Sequence, residues 1–268
     1  MKKLLSIYNL FFRSSALAAG ITILASVCVQ AAFLYEKMQG ETMYFENIAS
    51  GYTMLPSLIG LFLILWFLRD MLGSAKSNVD LTVQRLKVKP IPIFITEAVY
   101  IMMVLTVFWA LTAGMTYELA AYFSDKISTA QNPQLRLLVA FYRCGPLHVL
   151  FPLGDGVRLV CNIAAIVSFG FSMAAGNYFS RKRKNRDGLA WCTLFLFGFL
   201  STKGYNEAMT GVEAASYGFV VFLSIFFVAY EEKHPGEAEL NTDEGGEGTD
   251  EVIETAVEDA KKNAERNG

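Results

Sequence analysis

Long uninterrupted apolar runs fill the first 230 residues and constrain the fold more than any other feature of the sequence. A helix needs about 20 mostly apolar residues to cross a bilayer, where the backbone finds no water to bond. Five runs reach or approach this length: residues 15–35, 51–68, 92–123, 157–179 and 214–230. The pattern predicts an all-α fold, a polytopic membrane helix bundle.

A sixth run, residues 189–200, is the doubtful one because it has only a dozen residues. Ser201, Thr202 and Lys203 would complete a span if the lysine side chain reached back to the interface. A re-entrant segment is the alternative. Counting this run as a span, we expect about six transmembrane helices, residues 15–230 forming the transmembrane domain.

The distribution of lysine and arginine predicts the orientation. With six spans and a cytoplasmic amino terminus, the inside segments carry 13 of these residues and the outside segments carry 6. Such a bias marks the cytoplasmic side. The basic run 181–186, which reads RKRKNR, contributes most; beside a span it indicates an anchor at anionic lipid, not a nucleic-acid site. We therefore expect a multi-pass cell-membrane protein, contacting lipid, with both termini cytoplasmic.

Both ends of the chain differ from the apolar middle. Residues 1–14 place apolar side chains near one helical face between flanking basic residues, which predicts an amphipathic interfacial helix. A cleaved signal peptide is the alternative, although Arg13 would interrupt its apolar core. Residues 231–268 contain 13 acidic and 4 basic residues and no aromatic residue. This composition predicts a disordered acidic cytoplasmic tail.

Two carboxylates stand inside the third apolar run, Glu97 and Glu118. Acidic residues within a membrane are costly and are therefore candidates for function. At about 1.5 Å per helical residue, they would lie about 31 Å apart, near opposite interfaces, so they cannot form one site. We favour packing or interfacial roles, with a substrate or ion role as the alternative. His148 and Asp155 are candidates in the half-apolar outer segment that begins at residue 134.

Several signatures of catalysis are absent from the sequence. It contains no GxxxxGK[ST], HExxH or GxSxG motif, and its four cysteines and two histidines lack the spacing of metal ligands. We therefore expect no enzyme activity, no cofactor and no metal.

Small residues recur four positions apart within three of the predicted spans, a spacing that lets helix backbones approach closely. The pairs are Ala16 and Gly20, Ala110 and Gly114, and Gly170 and Ala174. The spacing predicts that all three pairs lie at helix contacts.

Three segments carry a family resemblance: GSAKSNVDLTVQRLKVKPIPIF, EAVYIMMVLTVFWAL and FYRCGPLHVLFPLGD. With the six-span layout, they resemble permease subunits of the ABC-2 exporter type, and in particular uncharacterised permease-like proteins of anaerobic Gram-positive bacteria. The matching loop positions are Thr82, Arg85, Leu86 and Val88; Lys87 stands where that pattern has a proline.

The resemblance implies a transport function. This chain would be the permease subunit of an ATP-binding-cassette exporter, paired with a second permease chain, alike or different, and powered by a separate ATPase subunit. The inner loop around Leu86 would be the ATPase-coupling loop. A membrane accessory or immunity protein with no transport of its own remains the alternative, and the substrate is not indicated.

Overall fold

The computed structural model describes residues 2–40, 55–73, 89–127, 138–139, 141–142, 145–152, 154–182, 193 and 207–234. Six helices have defined bounds within this part of the chain: α1 (Lys2–Gly40), α2 (Leu55–Gly73), α3 (Pro90–Ile127), α4 (Gly145–Leu150), α5 (Gly156–Arg181) and α6 (Glu207–Lys233). These residues include no β-strand, which confirms the all-α prediction.

Five of the described helices are long and apolar enough to cross a membrane. Their candidate spans are Leu4–Lys37, Leu55–Gly73, Pro90–Phe123, Gly156–Arg181 and Gly211–Lys233, which correspond to the five predicted runs. With 39 and 38 residues, α1 and α3 are roughly 58 Å long, well beyond a hydrocarbon core of about 30 Å. Both therefore tilt within the bilayer or extend past it.

α3 lies at the centre of the helix packing. It packs along α1 on one side and α5 on the other, while α2 contacts both α1 and α5. Among the described elements, α6 makes no comparably extensive contact with these four helices.

Ring contacts fix the direction of α1 relative to α3. Tyr8 lies 5.8 Å from Tyr100, and Tyr35 lies 5.6 Å from Phe123, both between ring centroids. The two helices therefore run parallel. We call the end where they start the basal end and the opposite one the distal end. α2 starts at the distal end, because the Ser57 amide donates to Gln30 Oε1 near the end of α1, at 3.2 Å.

α5 and α6 both start at the distal end. Asn177, near the end of α5, donates to Glu97 near the start of α3, so α5 ends at the basal end. Arg158, near the start of α5, donates to Glu213, near the start of α6. α5 therefore ends at the basal end, whereas α6 starts at the distal end. The doubtful run 189–200 falls between these two helices in the sequence and, Thr193 apart, lies outside the described residues.

The predicted boundary at residue 14 is not marked by a break, because α1 continues through it. Near its start, Ile7 and Phe11 are fully buried, and the Phe11 ring lies 6.4 Å from that of Tyr100. The amino-terminal segment therefore packs on α3.

The chain divides into two compact units, Met1–Phe227 and Val228–Gly268. In the second unit, residues 228–233 continue α6, and the remaining residues of the predicted acidic tail, 235–268, lie outside the described part.

Only one of the three small-residue pairs includes a glycine at a close helix contact. A Cβ on Gly170 would lie 3.0 Å from the Ala98 carbonyl oxygen and closer still to Met102, whereas Gly20 and Gly114 have no such neighbour within 4 Å. Among the described residues, the prediction therefore fails for Gly20 and Gly114. Four-residue spacing identifies a helix face that could accept a close neighbour, but it does not identify which face meets one. α1 and α2 instead approach closely at Gly60, where a Cβ would lie 2.6 Å from Ser26 Cβ.

The direction of α6 predicts a labelling pattern. In a variant whose four cysteines are serines, Gly156→Cys and Gly211→Cys should react with a membrane-impermeant maleimide from the same side, since both begin spans at the distal end. Both positions are exposed with open space around them. Lys182→Cys should react from the other side. Labelling of Lys182→Cys and Gly211→Cys from one side would contradict the arrangement.

The contact at Gly60 predicts a stability difference. Gly60→Ala should lower the apparent melting temperature in mild detergent, because overpacking against Ser26 costs about 1–3 kcal/mol. Gly114→Ala is the matched control and should leave it unchanged or raise it, since alanine favours the helix by about 1 kcal/mol. Equal effects of the two substitutions would argue against the contact.

Candidate functional site

α5 is the most buried of the five candidate spans and carries several polar side chains. In its most apolar 18-residue window, 61% of residues are buried, against 28–50% in the other four spans. Its buried polar residues are Arg158, Asn162, Ser168, Ser172 and Asn177. Polar groups inside a membrane bundle mark candidate functional positions, so α5 is the centre of the candidate site.

Glu97 anchors a polar cluster at the basal end. Its side chain is fully buried and forms an ion pair with Arg181 in the last turn of α5. Asn177, one turn earlier, donates from Nδ2 to Glu97 Oε1 at 2.7 Å. A buried carboxylate is tolerated only where charge and hydrogen bonds compensate the lost hydration, and these two side chains supply both.

Gly73, the last residue of α2, completes this cluster. A Cβ at Gly73 would lie 2.6 Å from Asn177 Oδ1 and 3.3 Å from Asn177 Cα, so the absence of a side chain allows α2 to approach α5. We call Gly73, Glu97, Asn177 and Arg181 the basal cluster. It joins the end of α2, the start of α3 and the end of α5.

A second cluster lies at the distal end, around Arg158. Arg158 Nη1 donates to Glu213 Oε2 at 2.6 Å, with both side chains buried. The Tyr217 hydroxyl donates to Glu213 Oε1 at 3.3 Å. Asp155 caps α5: its Oδ1 accepts from the Arg158 amide at 3.0 Å, and its Oδ2 lies 3.3 Å from His148 Nε2. We call these five residues the distal cluster.

The α4 segment packs onto the distal end. Asn162 Nδ2 donates to the Val149 carbonyl oxygen at 2.6 Å. The rings of Tyr117, Phe141 and Phe151 form a mutual cluster with centroids 6.0–6.1 Å apart. His148 in the same segment is only 2% exposed and lies beside Asp155.

The structure separates the two carboxylates of the third run. Glu97 is buried in the basal cluster, whereas Glu118 is exposed further along α3. His148 and Asp155, both predicted as candidates, meet in the distal cluster. The predicted coupling-loop positions Thr82, Arg85, Leu86 and Val88 lie outside the described residues.

Six residues of the two clusters were not predicted as candidates from the sequence: Gly73, Arg158, Asn177, Arg181, Glu213 and Tyr217. Arg158 and Arg181 counted only as cations flanking spans, and Glu213 stood one residue before a predicted span. The polar character of these side chains and their places near span ends were visible in the sequence, Gly73 apart. Their partners were not, because Glu97 and Arg181 are 84 residues apart and Arg158 and Glu213 are 55 apart.

The two clusters are well separated along the membrane normal. From Arg158 to Arg181, α5 rises about 35 Å, slightly more than the hydrocarbon thickness. Each cluster therefore lies near one interface. In the described part of the chain, no three His, Cys, Asp or Glu side chains are arranged to hold a metal ion. The clusters instead offer charged and hydrogen-bonding groups.

The basal ion pair predicts a coupled response to mutation. Glu97→Gln and Arg181→Gln should each lower the free energy of unfolding by about 3–5 kcal/mol, since either change strands a buried polar partner. The double variant should lose less free energy of unfolding than the sum of the losses in the two single variants. Arg13→Gln, at an exposed arginine of α1, is the control and should change the free energy of unfolding by less than about 0.5 kcal/mol.

Equilibrium unfolding in mixed micelles of mild detergent and dodecyl sulfate measures all four variants. Strictly additive losses from Glu97 and Arg181 would show that the pair is not coupled.

Comparisons of the chain with protein-family models, curated proteins and solved structures gave no match.

Proposed function

We propose that this chain is the transmembrane permease subunit of an ATP-binding-cassette exporter, powered by a separate ATPase subunit. The observation that carries the proposal is the basal cluster, which joins both flanks of the loop between α2 and α3 to α5. Gly73 ends α2 immediately before this loop, and Glu97 lies in the second turn of α3, which follows it.

The proposal assigns the basal end to the cytoplasm, following the bias of basic residues. The loop then faces the compartment that holds ATP. From Val79 onward its sequence alternates apolar residues with polar or charged ones, and Leu86 stands between Arg85 and Lys87. An apolar anchor with a polar rim is typical of protein interfaces. An ATPase subunit is therefore the partner we propose for the loop.

Coupling requires that movement of the loop reach the helices that line the pathway. Asn177 contacts Gly73 and bonds to Glu97, while Arg181 pairs with Glu97. A displacement of either loop flank would therefore act on the basal end of α5. Because α5 also carries buried Ser168 and Ser172, we propose that it lines the pathway, completed by a second permease chain.

The proposal predicts that Leu86→Asp abolishes co-purification with an ATPase subunit while the chain remains inserted and folded. A carboxylate at the apolar anchor would be desolvated without a partner, which weakens the contact. Ser77→Asp, in the same loop, is the matched control and should retain the ATPase. Affinity purification from the native membrane, followed by mass spectrometry of the retained subunits, measures both.

Unchanged retention in Leu86→Asp would refute the coupling role of the loop. No ATPase retained by the wild-type chain would favour an accessory or immunity protein.

A further inference from the structure

Arg158 is a buried guanidinium that uses only part of its hydrogen-bonding capacity. Its Nη1 donates to Glu213, whereas Nε and Nη2 are buried and have no hydrogen-bond partner in the structure. A buried donor without a partner costs roughly 1–3 kcal/mol, and more when it is charged. Such a group needs an explanation, and an absent acceptor is the simplest one.

The two unpartnered donors lie on the same edge of the guanidinium. Nε and Nη2 point their hydrogens in parallel, and this edge matches the two oxygens of a carboxylate or phosphate. Arg181, in the basal cluster, is unlike it in this respect, because only its Nη1 is recorded without a partner. The distal cluster therefore offers a two-donor fork for an oxyanion.

The surroundings of Arg158 place this fork beside the lipid. Val157, Val160 and Val212 are 57–62% exposed, so an apolar surface faces outward next to the buried ion pair. The pair lies within the first turns of two candidate spans, at the level where headgroups meet the hydrocarbon. Among the described elements, α6 lacks extensive packing on its neighbours, so a small displacement of α6 would open the fork.

The charges of the distal cluster restrict the ligand. Glu213 neutralises Arg158, and Asp155 adds a further carboxylate that is hydrogen-bonded to the start of α5 and to His148. A dianion would meet two carboxylates at short range. A single negative charge, as on a phosphodiester or a carboxylate, suits the fork better.

We infer that the Nε–Nη2 edge of Arg158 binds a monoanionic oxyanion group, phosphodiester or carboxylate, at the distal interface between α5 and α6. The group comes from a phospholipid or from a solute that enters from the distal side. This site does not depend on the proposed ATPase coupling, which concerns the other end of the bundle.

The test is thermal unfolding of the purified full chain in neutral detergent. One series adds phosphatidylglycerol, with diacylglycerol, which has no phosphate, as the comparison; another adds dimethyl phosphate or acetate. The wild-type chain should be stabilised saturably by at least one monoanion. Saturation by phosphatidylglycerol assigns the site to lipid, and saturation by the soluble anions alone assigns it to a solute.

Arg158→Lys keeps the charge beside Glu213 but removes the fork. We therefore expect the anion concentration that gives half-maximal stabilisation to rise at least tenfold. Arg181→Lys makes the same change in the basal cluster and should respond like the wild type. If Arg158→Lys does not fold, the double variant Arg158→Leu with Glu213→Leu removes both charges together and should abolish the response.

No saturable stabilisation of the wild-type chain by any of these anions would overturn the inference. So would an undiminished response in Arg158→Lys or in the double variant.

Discussion

The cost of burying charge at membrane depth organises this protein. Glu97 is fully buried within a candidate span, so the chain must supply a cation and a hydrogen-bond donor at the same depth. Arg181 and Asn177 supply them from one face of α5, which fixes both the depth and the rotation of α5 against α3. The approach of α2 through Gly73 follows from the same arrangement, because Asn177 occupies the space a side chain would need.

At the distal end, a buried charge is again paired with an opposite charge on a neighbouring helix. Arg158 and Glu213 join α5 to α6, and Asp155 connects the start of α5 to His148 in α4. Between the two clusters, the contacts are mainly apolar or use hydroxyl groups, such as the 2.7 Å bond between Ser15 and Tyr100. The ends of the bundle are thus specified by charge and its middle by packing, an arrangement that keeps ionised groups out of the centre of the bilayer.

The two clusters suit different roles because their unpartnered polar atoms are arranged differently. In the basal cluster, both carboxylate oxygens of Glu97 have partners, and the two atoms without one, Asn177 Oδ1 and Arg181 Nη1, belong to different side chains; we propose that this cluster acts as a joint between the loop flanks and α5. In the distal cluster, two donors of Arg158 lack an acceptor, so it is better suited to receive a ligand. The proposed permease function would use both roles, because a permease must respond to a partner and handle a solute or lipid.

The sequence by itself determined the helical class and five apolar spans, because backbone groups in a bilayer leave a long apolar run few alternatives to a helix. It also placed Glu97 near one interface and named His148 and Asp155. It could not identify Arg181 as the partner of Glu97, or Glu213 as that of Arg158, because pairing depends on which helix faces meet.

The spacing of small residues did not identify the helix contacts, for the same reason. Gly114 has the predicted spacing yet is exposed, whereas Gly60 and Gly73 lie at close contacts without belonging to a predicted pair. The local sequence pattern determines which segments can form membrane helices, because the free energy of placing each residue in the bilayer depends on that residue itself. The tertiary structure decides which side chains share a site, because that requires the relative rotation and depth of helices far apart in sequence.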